Sequence, residues 1–333
     1  MNELPAPLVS ICCIAYNHEE YLRQSIESFL IQETSFPYEI VIHDDASTDN
    51  TANIIREYEA KYPEIIRPIY QTENQYSKEI MLPFLTTLRA AKGKYVAICE
   101  GDDYWTDPLK LQKQITEMMR NPDCAISFHP AVIKWDDEVH DDEVICYHSK
   151  EPRIFSIEEV IRGGGSSFIP TASIVFSSAI IPRILAFFAY SEHYPYGDYF
   201  IQILGSEMGG ALYLSDVMSA YRKNVTGSYS ETLEKRDPDF LSSQVVSTVE
   251  SYREIDEFTG LKYSDLFAFM QRSFILHVLL YPTYDDKRVH DRILAYYWDN
   301  STISNNRVWN IVFRYPLIVK VLRKIKKIKD RGR

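Results

Sequence analysis

Apolar and polar positions along the first 130 residues switch between two periods. LVSICCIA (8–15), YEIVIH (38–43), IIRPIY (65–70) and KYVAICE (94–100) are short, nearly continuous apolar runs, the pattern of strands covered on both faces. Between them, EEYLRQSIESFLIQ (19–32), TANIIREYEAKY (51–62) and MLPFLTTLRAA (81–91) carry apolar residues at helical spacing. Leu22, Ile26, Phe29 and Leu30 fall on one stripe, and the second helix stops at Pro63. A further helix over 109–120 leads to a strand over 124–133. This alternation predicts an α/β fold, a mostly parallel sheet flanked by helices. Residues 134–156 read as an acidic surface loop or hairpin, GGGSS (163–167) as a flexible break and TASIVF (171–176) as a strand returning to the sheet. Helical patterns dominate from Asp237 onward. We therefore expect one domain over 1–230 and a helical region over 231–333.

Open sheets of this kind bind ligands at the carboxyl ends of their strands. That rule brings three polar loops to one edge: AYNHEE after the first strand, HDDASTDN after the second and EGDDYW after the fourth. Crowded carboxylates at a buried strand end repel one another and lose hydration, so Glu100, Asp102 and Asp103 call for a positive partner. A hard divalent cation, Mg²⁺ or Mn²⁺, uses one or two protein carboxylates and fills its other positions with phosphate oxygens and water. Asp44 and Asp45 have the chemistry to accept from a base N–H or from ribose hydroxyls, while Ser47–Asn50 read as a turn and N-cap. Tyr16 with Asn17 suits one wall of a nucleobase pocket. Taken singly, Tyr16 could be simple packing and Asp102–Asp103 an acidic turn; the convergence of three loops weighs against both.

Over residues 8–133, VSICCIAYNHEEYLRQSIESFLIQ, EIVIHDDASTDNT and GKYVAICEGDDYWTDPLKLQKQ together resemble the nucleotide-sugar domain of the family 2 glycosyltransferases, which have the GT-A fold. The resemblance weakens toward residue 230 and ends there. It implies a nucleotide-sugar donor, a UDP-sugar by default, and a divalent cation, Mn²⁺ or Mg²⁺. Ala15, Tyr16 and Asn17 match the family's first nucleotide loop and Asp44 its base-reading acid, with Asp45 beside it. Asp102 matches the position facing the ribose and Asp103 the metal ligand. YPYGDYFIQIL resembles the helix bearing the catalytic base, which makes Asp198 that base; read without the family, Asp198 is equally an N-cap after Gly197. YRKNVTGSYS (221–230) resembles the segment that closes over the donor, which gives Arg222 or Lys223 the diphosphate, the other reading being a basic surface loop, with Asn224 where relatives often have His. Many relatives place an Arg and an Asn in the helix facing the donor. QYSKEIMLPFLTTLRAAKGKY offers no clear equivalent, and Lys78 is the candidate substitute.

Composition then narrows the setting. The N-terminus MNELPAPLVS lacks a basic start and an apolar stretch, and no apolar run reaches the roughly 18 residues of a membrane span, so we expect a cytoplasmic protein. The five cysteines are odd in number and scattered, the pattern of free thiols. The spacings of His129, His140, His148 and Cys146 fit no usual zinc pattern, and His18 reads as a surface residue at a helix start. The net charge is −11, but residues 307–333 hold ten Lys or Arg and one acid, leaving −20 on residues 1–306. A large acidic body argues against nucleic acid as a partner. In the basic tail, Ile318, Val321, Leu322, Ile325 and Ile328 form one stripe, the pattern of a helix lying on the inner face of an anionic membrane or packed on the body. The expectation is a metal-dependent, inverting glycosyltransferase that uses a cell-surface glycan or lipid-linked acceptor. The alternatives are a sugar nucleotidyltransferase, against which AYNHEE lacks a Gly-rich phosphate loop, and a non-catalytic nucleotide-sugar or glycan-binding subunit.

Overall fold

The computed structural model describes residues 6–135, 140–223, 237–280, 286–314 and 318. The chain divides into two compact units, Met1–Ala189 with Gly197–Val225, and Tyr190–Tyr196 with Thr226–Arg333.

The first unit opens as the periodicity predicts, with β1 (Val9–Ala15), α1 (Leu22–Leu30), β2 (Tyr38–Asp44), α2 (Thr51–Lys61), β3 (Ile66–Tyr70), α3 (Leu82–Ala90) and β4 (Tyr95–Ile98). These strands lie in the order β3-β2-β1-β4 and all pair in parallel. Leu22, Ile26 and Phe29 of α1 join Val9, Ile11, Cys13, Ile40 and Ile42 in one core. Ala15 stands opposite Asp44, and Asp44 opposite Tyr70, so the first three strands end level with one another. The loops that follow leave from one edge.

Beyond β4 come β5 (Tyr104–Trp105) and α4 (Lys110–Arg120), and then two departures from the sequence reading. The apolar run over 124–133 is not one strand but two, β6 (Ile126–Phe128) in the large sheet and β7 (Ala131–Trp135) in a second one. Pro130 lies between them and has no N–H to give a ladder, so pairing breaks there. Likewise only the end of TASIVF is extended. Thr171–Ser173 form a 3-10 turn, and β10 (Val175–Ser177) enters antiparallel between β4 and β6.

Between these points lie β8 (Glu143–Ile145), β9 (Arg153–Phe155) and α5 (Ile157–Gly163), which Ser156 and Glu159 start with a reciprocal capping box. α6 (Ile181–Tyr190), α7 (Gly197–Ser206), β11 (Ala211–Tyr213) and β12 (Ser219–Lys223) follow. The large sheet has the order β3-β2-β1-β4-β10-β6-β11-β9 and the small one β5-β12-β7-β8.

The second unit is helical, with α8 (Pro238–Phe258), α9 (Ser264–Leu280), α10 (Lys287–Asp299), α11 (Ser301–Ser304) and α12 (Arg307–Arg314). Asp237 caps α8 by accepting from the amides of Asp239 and Phe240, both at 2.9 Å, and Pro238 takes the first helical position. Val245, Val249, Ile275, Val278, Ile293, Tyr297 and Phe313 make its core. Among the described residues no helix is long and apolar enough to cross a membrane. Apart from Ile318, the basic stripe expected beyond Arg314 lies outside the described residues, as does Asn224.

Candidate active site

The first two loops are knitted together by their polar residues. Asn17 has a left-handed backbone, φ 54°, which a short amide tolerates. Its N–H donates to Ser47 Oγ at 3.0 Å, and its side-chain oxygen accepts from the Thr48 amide at 2.8 Å. The His18 amide donates to Thr51 Oγ1 at 2.8 Å, and the Glu19 amide to Asp49 at 3.0 Å. Ser47–Thr51 therefore do more than cap α2. They fix the loop after β1, while Tyr16, 43% exposed, is left with an open ring.

Asp44 and Asp45 are both buried but have different surroundings. Asp44 Oδ1 accepts from the Ser47 amide at 3.3 Å. Asp45 accepts from the amides of Gln75 at 2.6 Å and Tyr76 at 3.0 Å, so its carboxylate fixes the chain after β3. Lys78, the proposed substitute for a donor-facing Arg, extends instead to Glu73 at 2.7 Å with half of its side chain exposed.

EGDD packs directly against the first loop. The Gly101 amide donates to the Ile14 carbonyl at 2.9 Å, and a Cβ at Gly101 would lie 2.8 Å from His18 Nδ1, so a side chain there would have to displace the His18 ring. His18 is thus more than a surface residue at a helix start; its Nδ1 is shielded from solvent and unpartnered among the described residues. From α1, buried Ser25 Oγ reaches the carbonyls of Gly101 at 2.8 Å and Asp103 at 2.5 Å. The loop is held from below by its backbone, which leaves its carboxylates to face one another.

Asp103 is 2% exposed and accepts from the Arg222 amide at 2.9 Å. Burial, then Asp102 and Glu100, push its carboxyl well above the usual range, with Arg222 pulling the other way. Glu100 is pushed up to about 8 by burial and by Asp102 and Asp198. Glu100 keeps part of its surface open to solvent. The two neighbouring carboxylates act in the same direction. Asp102 Oδ1 is buried with no partner among the described residues.

Asp198 arrives on α7. Gly197 lets that helix start against Met81, whose sulfur would be 2.0 Å from a Cβ at that position. Asp198 lies inside the first turn rather than at the N-cap. Its Oδ2 accepts from Thr171 Oγ1 at 3.4 Å and Gln202 Nε2 at 3.5 Å. Burial raises its carboxyl, against the Tyr199 amide and the Thr171 hydroxyl. The structure therefore brings Asp198 within electrostatic reach of Glu100, an acid the sequence groups with Asp102 and Asp103 but to which it assigns no role of its own. Thr171 and Gln202 carried no sequence signal, because their role depends on which helix end meets which turn.

Arg222 is committed to the loop itself. Its guanidinium donates to the Asp102 carbonyl and to Gln24 Oε1, and lies 4.6 Å from the ring centre of Tyr104 and 5.1 Å from that of Tyr21. Among the described residues no group of three or more His, Cys, Asp or Glu side chains is arranged to enclose a metal. An unpartnered carboxylate oxygen beside a second carboxylate fits a hard cation that takes its remaining ligands from a diphosphate and water.

A family model for glycosyl transferase family 2 matches residues 10–182. The uncharacterized protein Rv1520 of Mycobacterium tuberculosis is 36% identical over 219 residues, 66% of this chain and 60% of that protein. WfaP of Escherichia coli, a UDP-Glc:alpha-D-GlcNAc-diphosphoundecaprenol beta-1,3-glucosyltransferase, is 37% identical over 108 residues, 32% of this chain and 40% of that one. The chain thus spans less than two thirds of the length of these curated relatives. Among solved structures, S. aureus TarS 1–349 in complex with UDP aligns over 92% of this chain and 91% of that chain, with a TM-score of 0.52 and 17% identity, a likeness of fold.

Proposed function

The chain belongs to glycosyl transferase family 2, and from that premise we propose that it is an inverting transferase moving a sugar from a nucleoside diphosphate donor, a UDP-sugar, to a hydroxyl of a lipid-linked cell-surface glycan. The observation that carries this reading is the meeting of four carboxylates, Glu100, Asp102, Asp103 and Asp198, at the carboxyl edge of a parallel sheet, with one oxygen of Asp102 unpartnered among the described residues.

Tyr16 and the strand end at Asp44 receive the base, Ala15 and Asn17 line the same loop, and Asp102 meets the ribose. Asp103 is the residue to hold Mn²⁺ or Mg²⁺, which when bound neutralises charge on the departing diphosphate. Asp45 acts one step back, by holding the segment at Gln75 and Tyr76. Asp198 takes the proton of the acceptor hydroxyl as its oxygen bonds to the anomeric carbon and the bond to the diphosphate breaks on the opposite face. One such displacement inverts the anomeric configuration. A raised carboxyl suits this task, because a base works best with a pKa near the working pH.

The named acceptor of WfaP, a sugar on diphosphoundecaprenol, supports a lipid-linked acceptor here, and the ten basic residues from Arg307 onward support a peripheral stay on the inner membrane face. NMR of the product formed from a UDP-sugar and a diphospholipid-linked acceptor tests the chemistry; retention of configuration would overturn it. Liposome flotation with and without residues 308–333 tests the tail, and equal recovery would remove the membrane role.

A further inference from the structure

Two features of the first unit have no part in the proposed reaction as it stands. One is Lys110, completely buried at the start of α4. Among the described residues its ammonium has no carboxylate partner; it donates to Gln114 Oε1 at 2.8 Å and lies 4.1 Å from the ring centre of Trp105. A methionine would fill similar space without the desolvation that a buried ammonium suffers. The other is Trp105 itself, two residues past Asp103 and 2% exposed.

Trp105 is fixed on several sides. Its amide donates to Ser28 Oγ at 3.1 Å, and Phe29 meets its ring edge-on with centres 4.8 Å apart. Its indole Nε1–H donates to the Ala172 carbonyl at 3.0 Å. One residue further on, the Ser173 carbonyl accepts from Gln114 Nε2 at 2.9 Å. Two donors thus hold consecutive carbonyls of the turn Thr171–Ser173, and Thr171 is the residue whose hydroxyl reaches Asp198. The path runs without a gap from the acid loop to the carboxylate on α7.

We infer that Trp105, braced by Lys110 and Gln114, is a positioning residue that sets the turn Thr171–Ser173, and through it Asp198, relative to Asp102 and Asp103. The inference rests on Asp198 being the base. Its physical ground is that an in-line displacement needs nucleophile, base and leaving group in one alignment, and a misplacement of about 1 Å can lower the rate about 100-fold. A residue that only sets this alignment affects turnover and leaves binding of the nucleotide alone.

The test uses the full chain with Trp105→Phe, which keeps a ring and removes the N–H, and Gln114→Leu, which removes the second donor. Calorimetry with UDP and Mn²⁺ is expected to give affinities within about two-fold of wild type for both. UDP release from UDP-glucose or UDP-GlcNAc, whichever the wild type turns over, falls about 10-fold or more in kcat, with KM for the donor unchanged. Wild-type kcat in folded variants overturns the inference. So does a parallel loss of UDP affinity, which makes Trp105 ordinary core packing. If Trp105→Phe does not fold, Gln114→Leu decides alone. Asp198→Asn separates this from its premise: if that variant turns over normally, the base assignment has failed, whereas if it is silent and the other two are normal, only the positioning role has.

Discussion

Two groups of acids are handled in opposite ways, Glu250 and Glu254 in the helical unit and the acid loop with Asp198 in the first unit. In the helical unit, Glu254 accepts from Ser191 Oγ at 2.5 Å and the His193 amide at 3.1 Å, and it pairs with His193 Nδ1 at 2.7 Å. Glu250 accepts from Tyr296 at 2.5 Å and Arg253 at 2.8 Å, and these donors outweigh burial and hold its carboxyl below the usual value. At the sheet edge of the first unit, burial raises Glu100, Asp103 and Asp198, and Asp102 keeps an oxygen unpartnered among the described residues. On the proposed reading, the acids matched inside the chain are structural. On the same reading, the acids crowded against one another await a partner from outside.

The sharpest way to break this contrast is to neutralise one acid of each kind. Asp198→Asn is expected to lower kcat by about 10² to 10⁴ while the melting temperature holds or rises, since the amide removes a charge that burial disfavours; a large loss of stability with modest loss of rate would make Asp198 structural. Glu254→Gln should do the reverse, costing about 1–3 kcal/mol by leaving donors unmatched. Urea unfolding and turnover per folded molecule check this, and a selective loss of turnover would erase the distinction. A smaller effect is expected of Asp102→Asn, which relieves repulsion and raises the nucleotide-free melting temperature by about 2 °C while weakening UDP binding. Thermal unfolding with and without UDP reads both.

The smallest effect concerns Lys110, where stability and rate should part. Burial pushes its ammonium down to about 7 from an ordinary 10.5, with Cys99 offsetting a part. Between these values the unfolded chain holds a proton that the native state does not, so the native state gains stability as pH rises from 7 toward 10.5, and its deficit is constant below 7. Lys110→Met is therefore expected to melt higher than wild type at pH 6, with the gap narrowing at pH 9, while turning over more slowly. A gap independent of pH would mean that the ammonium is not what burial penalises.

Much of this was legible in the chain. The parallel core, β1 to β4, follows from two clean periodicities, and the three polar loops reach one edge because parallel strands all point their carboxyl ends the same way. What escaped depends on contacts between residues far apart. Pro130 marks the break between β6 and β7, but not that they enter different sheets. Ser47 and Asp49 have cap chemistry, yet the structure uses them to hold the first loop. Arg222 and Lys78 are cations in the expected segments, but where a flexible cationic side chain ends is decided by Tyr21, Tyr104 and Gln24 in one case and Glu73 in the other. The link from Trp105 to Ala172 spans 67 residues of sequence and leaves no periodic trace.

The central claim is that the carboxylates of EGDD are crowded at the sheet edge, with Asp102 Oδ1 unpartnered among the described residues, so that a nucleoside diphosphate and a divalent cation can bind them. Thermal unfolding with UDP, with and without Mn²⁺, on wild type and Asp103→Ala tests it most directly. Stabilisation equivalent to about 2.7 kcal/mol at a hundred times Kd, dependent on Mn²⁺ and lost in the variant, is the predicted result. Equal stabilisation of both proteins, or none of the wild type by UDP, GDP, dTDP or CDP, would contradict it.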